Sequence, residues 1–271
     1  MADQLPKFRN PPVVETVLGV QFTPLPKFGA GHLGAFWKAL DQREWCNANE
    51  AAALPLQHEK FGEAITVEHG FRFSVRKGAP VRLQIRNRDE DKMIQLQNGR
   101  LHYNWLKKET KYPSYDVVKP EFDKALGTFV RFAEEEGLGP LEWDQWEVTY
   151  LNHILQGTVW NKQGDWATVL APLLGPAATV PTGSLENISA TWRYEIGQHR
   201  GRLHVELQPG SETGGKRRAI LVLKLTARGP IEEGRGLDEG LNLGHETIVR
   251  AFRALTSPSA HEYWELCHAD Q

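Results

Sequence analysis

The sequence predicts an α+β fold in which two similar halves share one broad antiparallel sheet, with helices on one face. Three observations lead there. The stretch MIQLQNGRLHYNWLK (93–107) alternates apolar and polar residues on both sides of Asn98-Gly99. Further stretches along the chain alternate with the same period of two, as half-buried strands do. The order strand, helix, several strands, long helix then occurs twice, which divides one domain of 271 residues into halves of 1–140 and 141–271. Strands joined by short turns pair antiparallel, and such a sheet can keep one face wet.

VVETVLGVQF (13–22) opens the first half as a strand with Val14, Thr16, Leu18, Val20 and Phe22 on one parity, and Pro24 and Pro26 end it. GAGHLGAFWKALDQ (29–42) places Leu33, Phe36, Trp37 and Leu40 at helical spacing. AITVEHGFRFSV (64–75) is expected as a hairpin about His69-Gly70, and VRLQIRN (81–87) as the next strand. Asn98-Gly99 suits a two-residue type I′ turn because both positions need positive φ. That turn sets Gln97 opposite Arg100, Leu96 opposite Leu101, Gln95 opposite His102 and Ile94 opposite Tyr103. KPEFDKALGTFVRFAEEEG (119–137) is a helix with Pro120 in its first turn, a stripe of Phe122, Leu126, Phe129 and Val130, and a stop at Gly137.

In the second half, WEVTYLNHILQG (146–157) is a strand and DWATVLAPLLG (165–175) a short helix. After a Gly- and Pro-rich loop (175–187), ENISATWRYEIG (186–197), GRLHVELQPG (201–210) and RRAILVLKLTARG (217–229) are three strands. LDEGLNLGHETIVRAFRALTS (237–257) is the closing helix, and a short helix follows Pro258. Two echoes support the duplication: RLHYNW (100–105) with RLHVEL (202–207), and FVRF (129–132) with IVRAF (248–252).

Net charge is −2, with 32 Lys and Arg against 34 Asp and Glu, so no overall basic footprint points to nucleic acid. A local cluster, Lys216-Arg217-Arg218, reads as a solvated loop. No apolar run approaches the roughly 20 residues needed to cross a bilayer. Cys46 and Cys267 match no metal or redox spacing and read as free thiols in a reducing cytoplasm.

The arrangement resembles the duplicated saddle of TATA-binding-protein-like folds, with a helix-grip fold as the alternative. The chain also resembles a sporadically distributed bacterial family of roughly 250-residue proteins without established activity. The residues that carry this are NPPVVETVLGVQF (10–22), IQLQNGRLHYNW (94–105), YPSYD (112–116), VTYLNHI (148–154) and AFRALTSPSAHEYW (251–264). The resemblance supplies no catalytic residues. Its sporadic distribution implies mobile, phage-defence or toxin-control gene neighbourhoods.

Motifs for chemistry are sparse. His58-Glu59, His245-Glu246 and His261-Glu262 each begin like a zincin helix but lack the second histidine four residues on. GAGHLG (29–34) is only a partial phosphate-loop match, no Ser stands in a Gly-x-Ser-x-Gly elbow, and Cys46 has no neighbouring histidine. Neither cofactor nor metal is expected.

Glu15 and Glu147 stand inside otherwise apolar strands. With His102, His204 or His153 they form a candidate acid–base set for a hydrolase, against the commoner case of solvent-facing residues on a one-sided sheet. A saddle reading would use Arg82, Arg86, Arg88, Arg100, Arg202, Lys216, Arg217 and Arg218 as phosphate contacts. The third candidate is an amide-rich sheet face of Gln95, Gln97, His102, Asn104, His204, Glu206 and Gln208. Amides offer paired donors and acceptors but exchange no protons near neutrality, which suits recognition better than catalysis. The sequence therefore favours a cytoplasmic, non-enzymatic binding protein that holds a protein partner on an open polar face.

Overall fold

The computed structural model describes residues 4–62, 80–108, 111–170, 185–212, 218–232 and 234–267. The expected hairpin at 64–75, the loop of 175–187 up to residue 184, and Lys216 and Arg217 lie outside the described residues.

The first half contains β1 (Lys7–Phe8), β2 (Val13–Phe22), α1 (Ala30–Ala39), β3 (Asn47–Ala52), β4 (Val81–Arg86), β5 (Lys92–Gln97), β6 (Arg100–Leu106) and α2 (Tyr115–Glu135). The second contains β7 (Trp143–Leu155), α3 (Trp166–Val169), β8 (Ala190–Ile196), β9 (Gly201–Ser211), β10 (Ala219–Pro230), α4 (Leu237–Leu255), α5 (Pro258–Tyr263) and β11 (Leu266–Cys267). The fold is α+β, and its main sheet has nine antiparallel strands in the order β3-β4-β5-β6-β2-β7-β10-β9-β8. β1 and β11 form a separate two-stranded sheet.

The two strands that open the halves, β2 and β7, pair at the centre, with Leu18 opposite Val148 and Val20 opposite Trp146. The hairpin register is as the Asn-Gly turn requires: Gln97 pairs with Arg100, Gln95 with His102 and Ile94 with Tyr103. RLHYNW falls on β6, next to β2, whereas RLHVEL falls on β9, which β10 separates from β7. The strand echo thus joins positions at different depths in the sheet.

One parity of the central strands is apolar and faces the helices. Leu18, Val20, Phe22, Leu101, Tyr103, Trp105, Trp146, Val148 and Tyr150 are all buried there. Phe129 of α2 and Phe36 of α1 meet at 5.8 Å, and Phe129 reaches Phe22 of β2 at 5.2 Å. α4 approaches closely enough that a Cβ on Gly240 would lie 2.2 Å from Trp146, and one on Gly244 2.7 Å. These glycines are where the long helix comes down onto the indole. α2 and α4 run antiparallel: Tyr115 Oη donates to Asn242 Oδ1 at 2.9 Å, while Lys119 Nζ donates to Asp238 Oδ1 at 2.7 Å.

Two expectations change in detail. α2 begins at Tyr115, so Pro120 is its sixth residue and not in its first turn; the helix forgoes one backbone bond there. β3, with the sequence NANEAA, is an edge strand that no apolar alternation announced. Among the described residues, no helix is long and apolar enough to cross a membrane.

Candidate functional site

The polar parity of the sheet forms one continuous face. Across it, Gln95 of β5 registers with His102 of β6, Gly19 of β2, Glu147 of β7, Arg228 of β10 and Arg202 of β9. The residues expected on a shared face are therefore on one, but in the first half that face is not open. Gln95, Gln97, His102 and Asn104 are only 7%, 4%, 5% and 2% exposed.

A strap with no regular secondary structure, residues 53–62, crosses the sheet after β3. Gln97 accepts from the Leu54 N–H and donates to its carbonyl, both at 2.8 Å. Gln21 does the same for Gln57, at 3.1 and 2.8 Å. Gln145 accepts from the Glu59 N–H at 2.9 Å and donates to the Gln57 carbonyl at 2.7 Å. Each buried amide thus pairs two-fold with peptide backbone, which offsets the cost of burying it.

Glu59 ends this crossing in a cationic nest. Its carboxylate accepts from Arg228 Nε at 2.5 Å, meets His204 Nε2 at 2.7 Å and pairs with Arg202. Burial works against the charge on Glu59, but hydrogen bonds from His204 and Arg228 outweigh it and hold its pKa at about 2. Arg202 also donates to the Lys60 carbonyl at 2.9 Å and lies over the Phe61 ring at 4.9 Å.

The candidate acid–base set comes together only in part. Glu147 lies 3.7 Å from His102 Nε2 and 3.8 Å from Arg228. Gly19 makes the first contact possible, since a Cβ there would sit 2.4 Å from the His102 ring. Burial lowers the His102 pKa to about 4, helped by Arg100 and Arg82 and opposed by Glu147. Burial opposes the Glu147 charge, yet His102, Arg100 and Arg228 keep its carboxyl below the ordinary range. Glu15 goes elsewhere, accepting from Asn104 Nδ2, and burial raises its pKa. His153 shares the face but stands six residues from Glu147 along β7, about 20 Å away. It is not the partner of either glutamate.

Two members of the proposed phosphate strip are engaged by the protein itself. Arg100 is buried and donates to Gln21 Oε1 at 2.7 Å, and Arg202 is committed to Glu59. Arg82 and Arg86 share the polar face half-buried, Arg88 is exposed in the following turn, and Arg218 is exposed before β10. Among the amide-face candidates, Glu206 pairs with Lys224 at 3.1 Å and Gln208 is exposed. Lys216 and Arg217 lie outside the described residues.

The opposite face holds a site that strand parity alone did not reveal. Between the start of α2 and the stretch of α4 from Asn242 to Phe252 lies a cleft of about 600 Å³, walled on its third side by residues 4–13. At its floor, Tyr112 Oη meets Tyr150 Oη at 2.9 Å, and Tyr150 Oη meets His245 Nδ1 at 2.8 Å. Tyr115 stacks on His245 with ring centroids 4.0 Å apart. Burial lowers the His245 pKa to about 4, raises that of Tyr112 to about 12, and pushes Tyr150 well above the usual phenol range. The whole chain of groups is uncharged near neutrality.

Asn152, 1% exposed, also lines the cleft; its Nδ2 donates to the Leu223 carbonyl at 3.0 Å, while its Oδ1 has no hydrogen-bond partner. The available sequence signal was Tyr150 and Asn152 on the parity that otherwise carries core residues. Among the described residues no cluster of three or more His, Cys, Asp or Glu could hold a metal ion. Comparison with models of known families, with curated proteins and with solved structures gave no match.

Proposed function

We propose that this is a binding protein whose ligand site is the cleft between α2 and α4, and that the ligand is a small, uncharged molecule with a hydrogen-bonding head and an apolar body. The observation that carries the reading is the Tyr112–Tyr150–His245 chain. General acid–base work calls for a group titrating near the operating pH, and these three are shifted away from it in both directions. What they offer instead is fixed donors and acceptors within a cleft whose volume lies in the range typical of small-molecule sites. Asn152 Oδ1 adds a buried acceptor awaiting a donor. Leu5, Phe8, Val13, Ile248 and Phe252 supply the apolar walls. A cytoplasmic setting belongs to the same proposal and is in keeping with two exposed, unpaired cysteines.

Benzamide, benzoate and benzylamine are near-isosteric and differ in charge, so ligand-detected NMR with the three tests the reading. Benzamide is expected to bind best, to lose its signal in Val249→Trp, which fills the cleft, and to weaken about ten-fold in Tyr150→Phe, the size of one lost hydrogen bond. Equal binding of the charged probes, or binding untouched by Val249→Trp, removes the cleft from consideration.

A further inference from the structure

The strap is recognised as a peptide and hardly as a sequence. Within the strap, Gln97, Gln21 and Gln145 touch only backbone atoms of Leu54, Gln57 and Glu59, and Arg202 reaches the backbone of Lys60. The Pro55, Leu56, Gln57, His58 and Lys60 side chains are exposed. The side-chain anchors are the Glu59 carboxylate, in its nest of Arg202, His204 and Arg228, and Gln57 Oε1, which accepts from Arg228. The strap adds no strand to the sheet it crosses. On the same face, Arg100 Nε beside Gln21, and His102 Nε2 and Glu147 Oε2 in the adjoining register row, are buried without a hydrogen-bond partner, so bonding capacity next to the strap is unused.

We propose that the polar face is a groove for extended peptide segments carrying one carboxylate at the position of Glu59, that residues 54–60 occupy it at rest, and that an acidic extended segment of a partner protein replaces them. Backbone pairing gives such a site its affinity, and a single charged pocket sets the register. The inference stands on contacts separate from the helix-side cleft. The strap competes from within the same chain at an effective concentration on the order of millimolar. A free peptide therefore gains access only when the strap is weakened.

The test uses a fluorescent ten-residue peptide of sequence ALPLQHEKFG, identical to residues 53–62. Anisotropy should show no binding to the full-length protein at micromolar concentration and clear binding to Gln57→Pro/Glu59→Ala, which loses the Gln57 backbone donor and side-chain acceptor and the Glu59 carboxylate. A peptide with Gln in place of its glutamate should bind that variant at least about ten-fold more weakly, as expected for a lost charge-assisted contact. Absence of binding to the folded variant, or equal binding of both peptides, overturns the proposal. A concentration-dependent dimer of the unmodified protein would assign the groove to a second copy and overturn the choice of a separate partner. Hydrogen exchange on the unmodified protein decides the matter if the variant fails to fold. The Leu54, Gln57 and Glu59 amides should exchange by local opening well before Leu18 in β2, and equal protection would make the strap a fixed part of the fold.

Discussion

The two faces of the sheet bury polar groups by opposite means. Beneath the strap, charges are kept and compensated: Glu147 stands among His102, Arg100 and Arg228, and Glu59 among Arg202, His204 and Arg228. Beneath the helices, the Tyr112, Tyr150 and His245 side chains are kept neutral and joined in series. The first arrangement binds its own chain through many fixed contacts. The second leaves space. Removing one member should therefore cost much more on the strap side than on the cleft side.

The largest effect is expected from Glu147→Ala. It leaves Arg100 and Arg228 on a buried face without that carboxylate and should cost about 3–5 kcal/mol in denaturant unfolding. Asn152→Ala, on the cleft side, removes one bond to the Leu223 carbonyl and should cost about 1 kcal/mol. Equal costs would break the comparison. Next come two glycines, one per face. Gly240→Ala pushes a methyl into Trp146, itself hemmed in by Gly201, Gly229 and Gly244, and should cost about 1–3 kcal/mol through overpacking. Gly19→Ala drives against the His102 ring and should cost less if that ring can turn aside. Its signature is a lost His102–Glu147 contact, readable in the His102 titration by NMR.

Acid separates the faces further. His102 and His245 have folded pKa values of about 4 against an ordinary 6.5, so the unfolded chain takes up more protons between these values. Stability from this source is complete above pH 6.5 and is lost as pH falls toward 4, one contribution from each face. Glu59 has a folded pKa of about 2 against 4.5, so its contribution is complete above pH 4.5 and is lost only as pH falls toward 2. Thermal unfolding followed from pH 7 to 2 should show both windows. Glu59→Gln should shrink the lower one, leaving the share of Glu147, and His245→Gln should shrink the upper one.

The frame of this fold was legible because it rests on local signals. Asn98-Gly99 set the β5–β6 register, and period two separated Leu18, Val20 and Phe22 from Gly19 and Gln21. Alternation says which residues share a face, but not what lies over it. Gln97 was expected on an open face because its partners are backbone atoms of a strap, as are those that Gln21 and Gln145 find there, and backbone atoms leave no mark in a sequence. The expected open docking face is closed by the strap at Gln97, while Gln95 and Asn104 are buried bonded to each other and His102 is buried beside Glu147. The cleft was hidden by distance: Tyr112 and Tyr150 are 38 residues apart, and Tyr150 and His245 are 95 apart. No local spacing joins them. β3 escaped because an edge strand of NANEAA buries too little to need a pattern.

The smallest effect is expected at the seam between the long helices, where it sharpens the contrast most. Lys119 bridges Asp123 of its own helix and Asp238 of α4, and these carboxylates outweigh the effect of burial and raise its pKa. Asp238 is 77% exposed, so solvent and salt screen its share of the pair. Asp238→Ala should change stability by no more than about 0.5 kcal/mol. Tyr115–Asn242 and Tyr150–His245 still tie the helices to each other and to the sheet. Benzamide affinity should then stay within about two-fold, because the cleft floor gains its order from neutral contacts and not from the ion pair beside it. A larger loss of stability or binding would show that charge holds the cleft side together as it does the strap side, and the distinction between the faces would fall.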